Sequence, residues 1–157
     1  KERRGGPGQV ELSQDLDLGI PWLDRASVWD VGLSAEVPLD LRLDTGAYRG
    51  RIDLGPLRVA HLELHTGASD THIRLPAAAG MTTVRTESGA ASLTLEVPAG
   101  VAARIRSRMT LGSTSIDQVR FPRSGDGFES PGYSTAAHRL DIDIQGGIGS
   151  VTVISGA

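Results

Sequence analysis

Serine, histidine and aspartate all occur in this chain, so a nucleophilic triad is the first chemistry to weigh. A nucleophile elbow needs Gly-x-Ser-x-Gly on a strand-to-helix turn that holds the hydroxyl outward. Ser130-Pro131-Gly132 supplies only the second half, because position 128 is Phe and no helical period follows. Ser130 therefore reads as a loop residue, and Ser92 and Ser113 fall within repeated turns. A metal centre needs converging imidazoles and carboxylates. His61, Glu63 and His65 alternate with Leu62 and Leu64, so they share the outward face of one strand, with His72 on the next. His61 and His65 would stand about 13 Å apart along a strand, too far to share an ion. His65 and His72 could approach across a turn, but a solvated sheet face accounts for the whole set. Asp126 lacks the further acidic positions of a calcium loop. The glycine-rich turns lack the Gly-Lys ending of a phosphate cradle. The carboxylate pairs Asp15/Asp17 and Asp141/Asp143 raise glycoside hydrolysis. They occupy alternate strand positions, where outward charge also discourages lateral strand pairing. The expectation is a protein that is no enzyme, with no catalytic residue, metal or cofactor.

Composition points the same way. Hydrophobic residues make up 39% of the 157, enough for one core, whereas aromatics are only 4%. An apolar set dominated by Leu, Val, Ile and Ala suits thin stacked layers better than a bulky cleft. The net charge of −3 gives no field favouring nucleic acid. There is no cysteine, which excludes a disulfide framework and a thiolate site. No apolar run approaches the roughly 20 residues that span a bilayer, and no secretory leader is visible. Lys1, Arg3 and Arg4 precede Gly5-Gly6-Pro7-Gly8. They read as a solvated terminus or as a basic stop just after a membrane span, followed by a linker.

The elements come from an internal repeat. Gly46-Ala-Tyr-Arg-Gly-Arg-Ile52, Gly67-Ala-Ser-Asp-Thr-His-Ile73 and Gly89-Ala-Ala-Ser-Leu-Thr-Leu95 align with one another. Thr110-Leu-Gly-Ser-Thr-Ser-Ile116 and Gly147-Ile-Gly-Ser-Val-Thr-Val153 continue the series. The starts lie 21, 22, 21 and 37 residues apart, so the last connection carries an insertion, and the fourth copy lacks the leading Gly. Period-2 alternation flanks each copy, as in Leu39/Leu41/Leu43 and Leu140/Ile142/Ile144, which is the signature of strands. A 22-residue unit of two short strands cannot bury its apolar face alone, so successive units must stack. The predicted fold is all-β: a β-solenoid-like stack of two-strand repeats, with a β-sandwich as the alternative. Gly46, Gly67, Gly89 and Gly147 are then structural turn glycines, expected to take positive φ where rungs lie close. Ala47, Ala68 and Ala90 are expected to fill a narrow corner of the core.

Residues 1–8 read as a basic, glycine-rich linker and 9–157 as a single β-solenoid domain. Within it, 9–38, with Trp22 and Trp29, reads as an N-terminal cap, and 121–138 as an inserted loop. That loop holds three of the six aromatics, Phe121, Phe128 and Tyr133. It reads either as a lid pinned to the body or as a partner-binding loop with these aromatics as anchors.

These segments, in order, resemble the C-terminal domain of LiaF-like cell-wall-active-antibiotics-response proteins, related to the toastrack putative-adhesin group. The runs that carry the resemblance begin with Leu41-Arg-Leu-Asp-Thr-Gly-Ala47 and Leu57-Arg-Val-Ala-His-Leu-Glu-Leu-His-Thr-Gly-Ala-Ser69. Val97-Pro-Ala-Gly-Val-Ala-Ala-Arg-Ile105, Arg120-Phe-Pro-Arg123 and Gly127-Phe-Glu-Ser-Pro-Gly-Tyr133 follow, then Arg139-Leu-Asp-Ile142 and the last repeat. The resemblance implies a right-handed β-solenoid-like fold following membrane helices, absent from this chain. It implies a non-enzymatic role in bacterial envelope stress, restraining a membrane sensor histidine kinase through protein contacts. It places the domain at the cell membrane, on its cytoplasmic face or outside it. An adhesin-type module binding polysaccharide or protein is the alternative, and the oligomeric state stays open.

Overall fold

The computed structural model describes residues 2–4, 10–12, 33 and 35–157. The chain divides into two compact units, Lys1–Gly32 and Leu33–Ala157. In the first, β1 (Glu2–Arg4) pairs antiparallel with β2 (Val10–Leu12), Glu2 opposite Leu12. The boundary therefore falls after Gly32, and β1 lies inside the stretch read as a linker. Three-residue strands carry no periodicity that a sequence could show. The predicted cap, with Trp22 and Trp29, lies almost wholly outside the described residues.

In the second unit, β3 (Leu39–Asp53), β4 (Val59–Arg74), β5 (Met81–Val97) and β6 (Ala102–Ile116) come first. Short β7 (Arg123–Ser124) and β8 (Gly127–Glu129), a 3-10 turn at Tyr133–Thr135 and β9 (Arg139–Ser155) complete it. The five long strands run parallel and in register, and β8 and β7 add antiparallel at one edge.

Strands of 15–17 residues are about three times the usual length. Each is an arc rather than a flat strand. In β4, Leu62, Leu64 and Thr66 are buried at even positions, whereas beyond Gly67-Ala68 the buried residues are Thr71 and Ile73, at odd positions. A flat strand would set those groups on opposite faces. Leu62, Leu64 and Ile73 nevertheless share one core, so the chain folds over at Gly67-Ala68 and its two arms face each other. The same change of parity separates Leu43 from Ile52, Val84 from Leu93 and Ile142 from Val151. Stacked arcs build the core in rows, such as Leu62–Val84–Ile142–Ile105 in one arm and Ile73–Leu95–Val153–Ile116 in the other. This is the β-solenoid-like fold, with the two predicted strands of each repeat as the two arms of one arc.

Three expectations change. First, the rungs do not stack in chain order: the order is β3-β4-β5-β9-β6, with the last repeat inserted between the third and fourth. The inward residues give the reason. Leu140, Ile142, Ile144, Val151 and Val153 of β9 are apolar and at most 1% exposed, which suits an interior rung. In β6 the matching positions include Ser107 and Thr114, whose hydroxyls bond each other at 2.8 Å across the two arms. A polar inward set suits an end rung, as terminal repeats require. The long segment 117–138 between β6 and β9 is the excursion that this insertion needs.

Second, Gly46, Gly67, Gly89 and Gly147 do not take positive φ; the positive-φ glycines are Gly80, Gly100, Gly125, Gly132 and Gly149. The apex needs glycine for close approach instead. A Cβ on Gly67 would meet the Gly46 carbonyl oxygen at 3.0 Å, one on Gly89 the Gly67 oxygen at 3.0 Å, and one on Gly147 the Gly89 oxygen at 2.6 Å. Third, Ala47, Ala68 and Ala90 are exposed rather than core. They follow the apex glycine, where the side chain points away from both arms.

The segment 117–138 is a lid. Phe121 is fully buried in the core, Phe128 packs against it, and Tyr133 is buried. Arg120 anchors the lid by donating to the carbonyls of Val97, Pro98 and Val101. Ser130 completes the attachment: its N–H donates to the Ala103 carbonyl at 2.8 Å, and its hydroxyl accepts from the Ala103 N–H at 2.9 Å.

Candidate functional site

The residues singled out for chemistry are dispersed by the fold. Ser130 is engaged in holding the lid. Asp141 and Asp143 face Arg106 of the neighbouring strand at 3.1 and 4.0 Å. His65 lies 3.0 Å from Glu63 and 3.3 Å from Glu87, whereas His72 sits on the other arm, 3.1 Å from Glu96. His65 and His72 are thus parted by the apex. Among the described residues, no group of three His, Asp or Glu side chains is placed to hold a metal ion. Asp15 and Asp17 lie outside the described residues.

Phe121, Phe128 and Tyr133 do not form an exposed binding loop. The Arg123 guanidinium covers the Phe128 ring at 5.4 Å, and the Arg104 guanidinium lies over Tyr133 at 4.4 Å. Glu129 bonds Arg104 at 2.6 Å and raises its pKa, while burial raises that of the Tyr133 phenol. The aromatic side chains are spent on the lid's own attachment.

What the fold does assemble is a strip along the arc apices. Register aligns three columns there. On one side run Asp44, His65, Glu87, Gln145 and Arg108. The floor is Gly46, Gly67, Gly89 and Gly147, with Thr110 on β6. On the far side run Ala47, Ala68, Ala90, Ile148 and Leu111, again in register. Because glycine leaves no side chain between the flanking columns, the floor and its polar flank form an open groove of about 900 Å³. Ile148 is 59% and Leu111 68% exposed, side by side on β9 and β6. Across five strands the strip is about 19 Å long at ordinary strand spacing.

The polar column is graded in charge. Asp44 is held below the usual carboxylate range, first by its hydrogen bond from Arg42 at 2.8 Å. Glu87 takes His65 as its neighbour. Arg108, at the opposite end, makes no ion pair with any other described residue. Sequence analysis missed this strip, although a signal was present: the odd spacing between inward residues, as from Leu64 to Ile73, turns the residue after each glycine outward.

Comparison with known proteins bears on the whole arrangement. The family model for the N-terminal domain of toast_rack, DUF2154, matches residues 1–96, which stop one residue short of the end of β5. A crystal structure of a candidate cell adhesion protein from Clostridium sporogenes ATCC 15579 superposes with a TM-score of 0.73 at 17% identity. The match covers 79% of this chain and 58% of that one, so this chain spans little more than half of that protein. At that identity the likeness is one of fold. No curated protein matches the chain. Matched over well more than half its length by the family model, with its arcs stacked in parallel register, the chain belongs to the toast_rack family.

Proposed function

We propose that this domain is a non-enzymatic interaction module of the bacterial envelope-stress response, which regulates a membrane sensor histidine kinase by direct protein contact. The observation that carries the contact role is the exposed apolar column ending in Ile148 and Leu111. Neighbouring large aliphatic side chains, left in water on rigid strands beside a groove, mark a surface for protein contact more than for catalysis. Support for a kinase partner is the LiaF-like order of the sequence runs, and the same resemblance suggests a site of action at the membrane, on its cytoplasmic face.

The test is co-purification of the sensor kinase with the full protein, with and without Leu111→Ser. Loss of the kinase with an unchanged melting temperature supports the reading, and retention equal to wild type contradicts it. A second reading, an adhesin-type surface module, draws on the fold shared with the candidate cell adhesion protein. Binding to purified cell wall, with no kinase retained, would favour that reading.

A further inference from the structure

We propose that the apex strip is the contact face of a homodimer, built about a two-fold axis parallel to the strands and passing over β5. This rests on the reading of the strip as a protein-contact surface and names a second copy of this chain as its occupant when no kinase is bound. Rotation about such an axis sets β3 of one copy over β6 of the other, β4 over β9, and β5 over itself. Both columns fit that operation. In the apolar column the small end meets the large one: Ala47 faces Leu111 of the second copy, Ala68 faces Ile148, and Ala90 lies at the axis. In the polar column opposite charges meet, with Asp44 facing Arg108 twice over and His65 facing Gln145.

A face that matches itself under one rotation is what an isologous dimer requires. Arg108 has no ion pair with any other described residue, so the contact would give it one. Within the polar column Glu87 meets its own kind, at the axis, turned toward His65. The next column outward confines the contact. It reads Arg42, Glu63, Arg85, Asp143, Arg106, and the same rotation would set Arg42 over Arg106. The arms fold back from the apex and carry that column outward, but the Arg42 guanidinium reaches Asp44 at 2.8 Å, so Asp44 is shared between Arg42 and Arg108 of the second copy. A strip this narrow is well below the roughly 800 Å² per partner of a standard interface, so the dimer is weak.

The test is sedimentation equilibrium of the 157-residue chain at low salt, over micromolar to millimolar concentration. The wild type is expected to show a reversible monomer–dimer equilibrium. Asp44→Arg or Arg108→Asp alone should weaken it by about tenfold or more, since each sets like charges together twice. The double variant should restore it, and Glu87→Gln should tighten it. A wild type that stays monomeric, or a double variant no better than the singles, overturns the proposal. If association is absent while Leu111→Ser still abolishes kinase capture, only the second copy is excluded and the contact surface stands. If neither property responds, both readings fail.

Discussion

A single methyl group at the apex separates close approach from backbone conformation. A Cβ on Gly46, which belongs to the first arc, would meet nothing within 4 Å, whereas one on Gly147 would press on the Gly89 carbonyl oxygen. Gly46→Ala should therefore change stability by no more than about 0.5 kcal/mol. Gly147→Ala should cost about 1–3 kcal/mol, because the neighbouring backbone cannot yield cheaply. Urea midpoints for the two variants measure the difference, and equal midpoints would show that contact between rungs does not select glycine. Asp117 offers a second test. It accepts hydrogen bonds from the Ser155 hydroxyl and the Val119 N–H, and the first of these lowers its pKa most. A folded pKa below the unfolded value means the stabilisation is present above about pH 4 and lost as pH falls through the folded pKa. Asp117→Asn should thus lower the melting temperature at pH 7, and the deficit should shrink in acid. A deficit constant from pH 7 down to pH 2 would remove Asp117 as a titrating clamp between β6 and β9.

At the scale of elements, alternation and the glycine repeat made the arcs legible, because the inward residues of both arms are periodic in the sequence. The bend itself was less so, since it shows only in the odd interval from Leu43 to Ile52 or from Ile142 to Val151. Alanine after glycine looked like corner packing for the same reason: a half-turn of parity decides whether it faces core or water. The order of the last two rungs depended on the polarity of Ser107 and Thr114, which only their pairing with Ile144 and Val151 makes meaningful. The lid was legible as an insertion but not as a set of anchors, because burial of Phe121 and Tyr133 depends on non-local contacts. Phe121→Ala should cost about 3–5 kcal/mol as a fully buried aromatic, and more than Phe128→Ala. Chemical denaturation of both variants checks the order. Hydrogen exchange should be slowest in β4, β5 and β9, each with a long strand on either side, and fast in 110–115 of β6, where every residue is exposed. Uniform protection across β6 and β9 would contradict β6 as an end rung.

At the scale of the whole molecule, the order of residues along the apex columns is set by β9 lying between β5 and β6. Chain-order stacking would keep three alanines followed by Leu111 and Ile148, but would move Arg108 off the end of the polar column and break its match with Asp44, on which the dimer rests. The absence of native cysteine makes this order open to direct trapping. Ser92 and Ser150 are register partners, with hydroxyls 3.4 Å apart, and Ser113 is the next partner along. Ser92 and Ser113 therefore stand two strands apart, about 9.6 Å, beyond the roughly 7 Å Cα separation a disulfide tolerates. The decisive measurement is disulfide formation under mild oxidation in two double variants, Ser92→Cys with Ser150→Cys and Ser92→Cys with Ser113→Cys. The inserted order predicts rapid, near-complete crosslinking in the first and none in the second. Crosslinking of Ser92→Cys with Ser113→Cys, and not of the other pair, would show rungs stacked in chain order and would remove the match of Asp44 with Arg108.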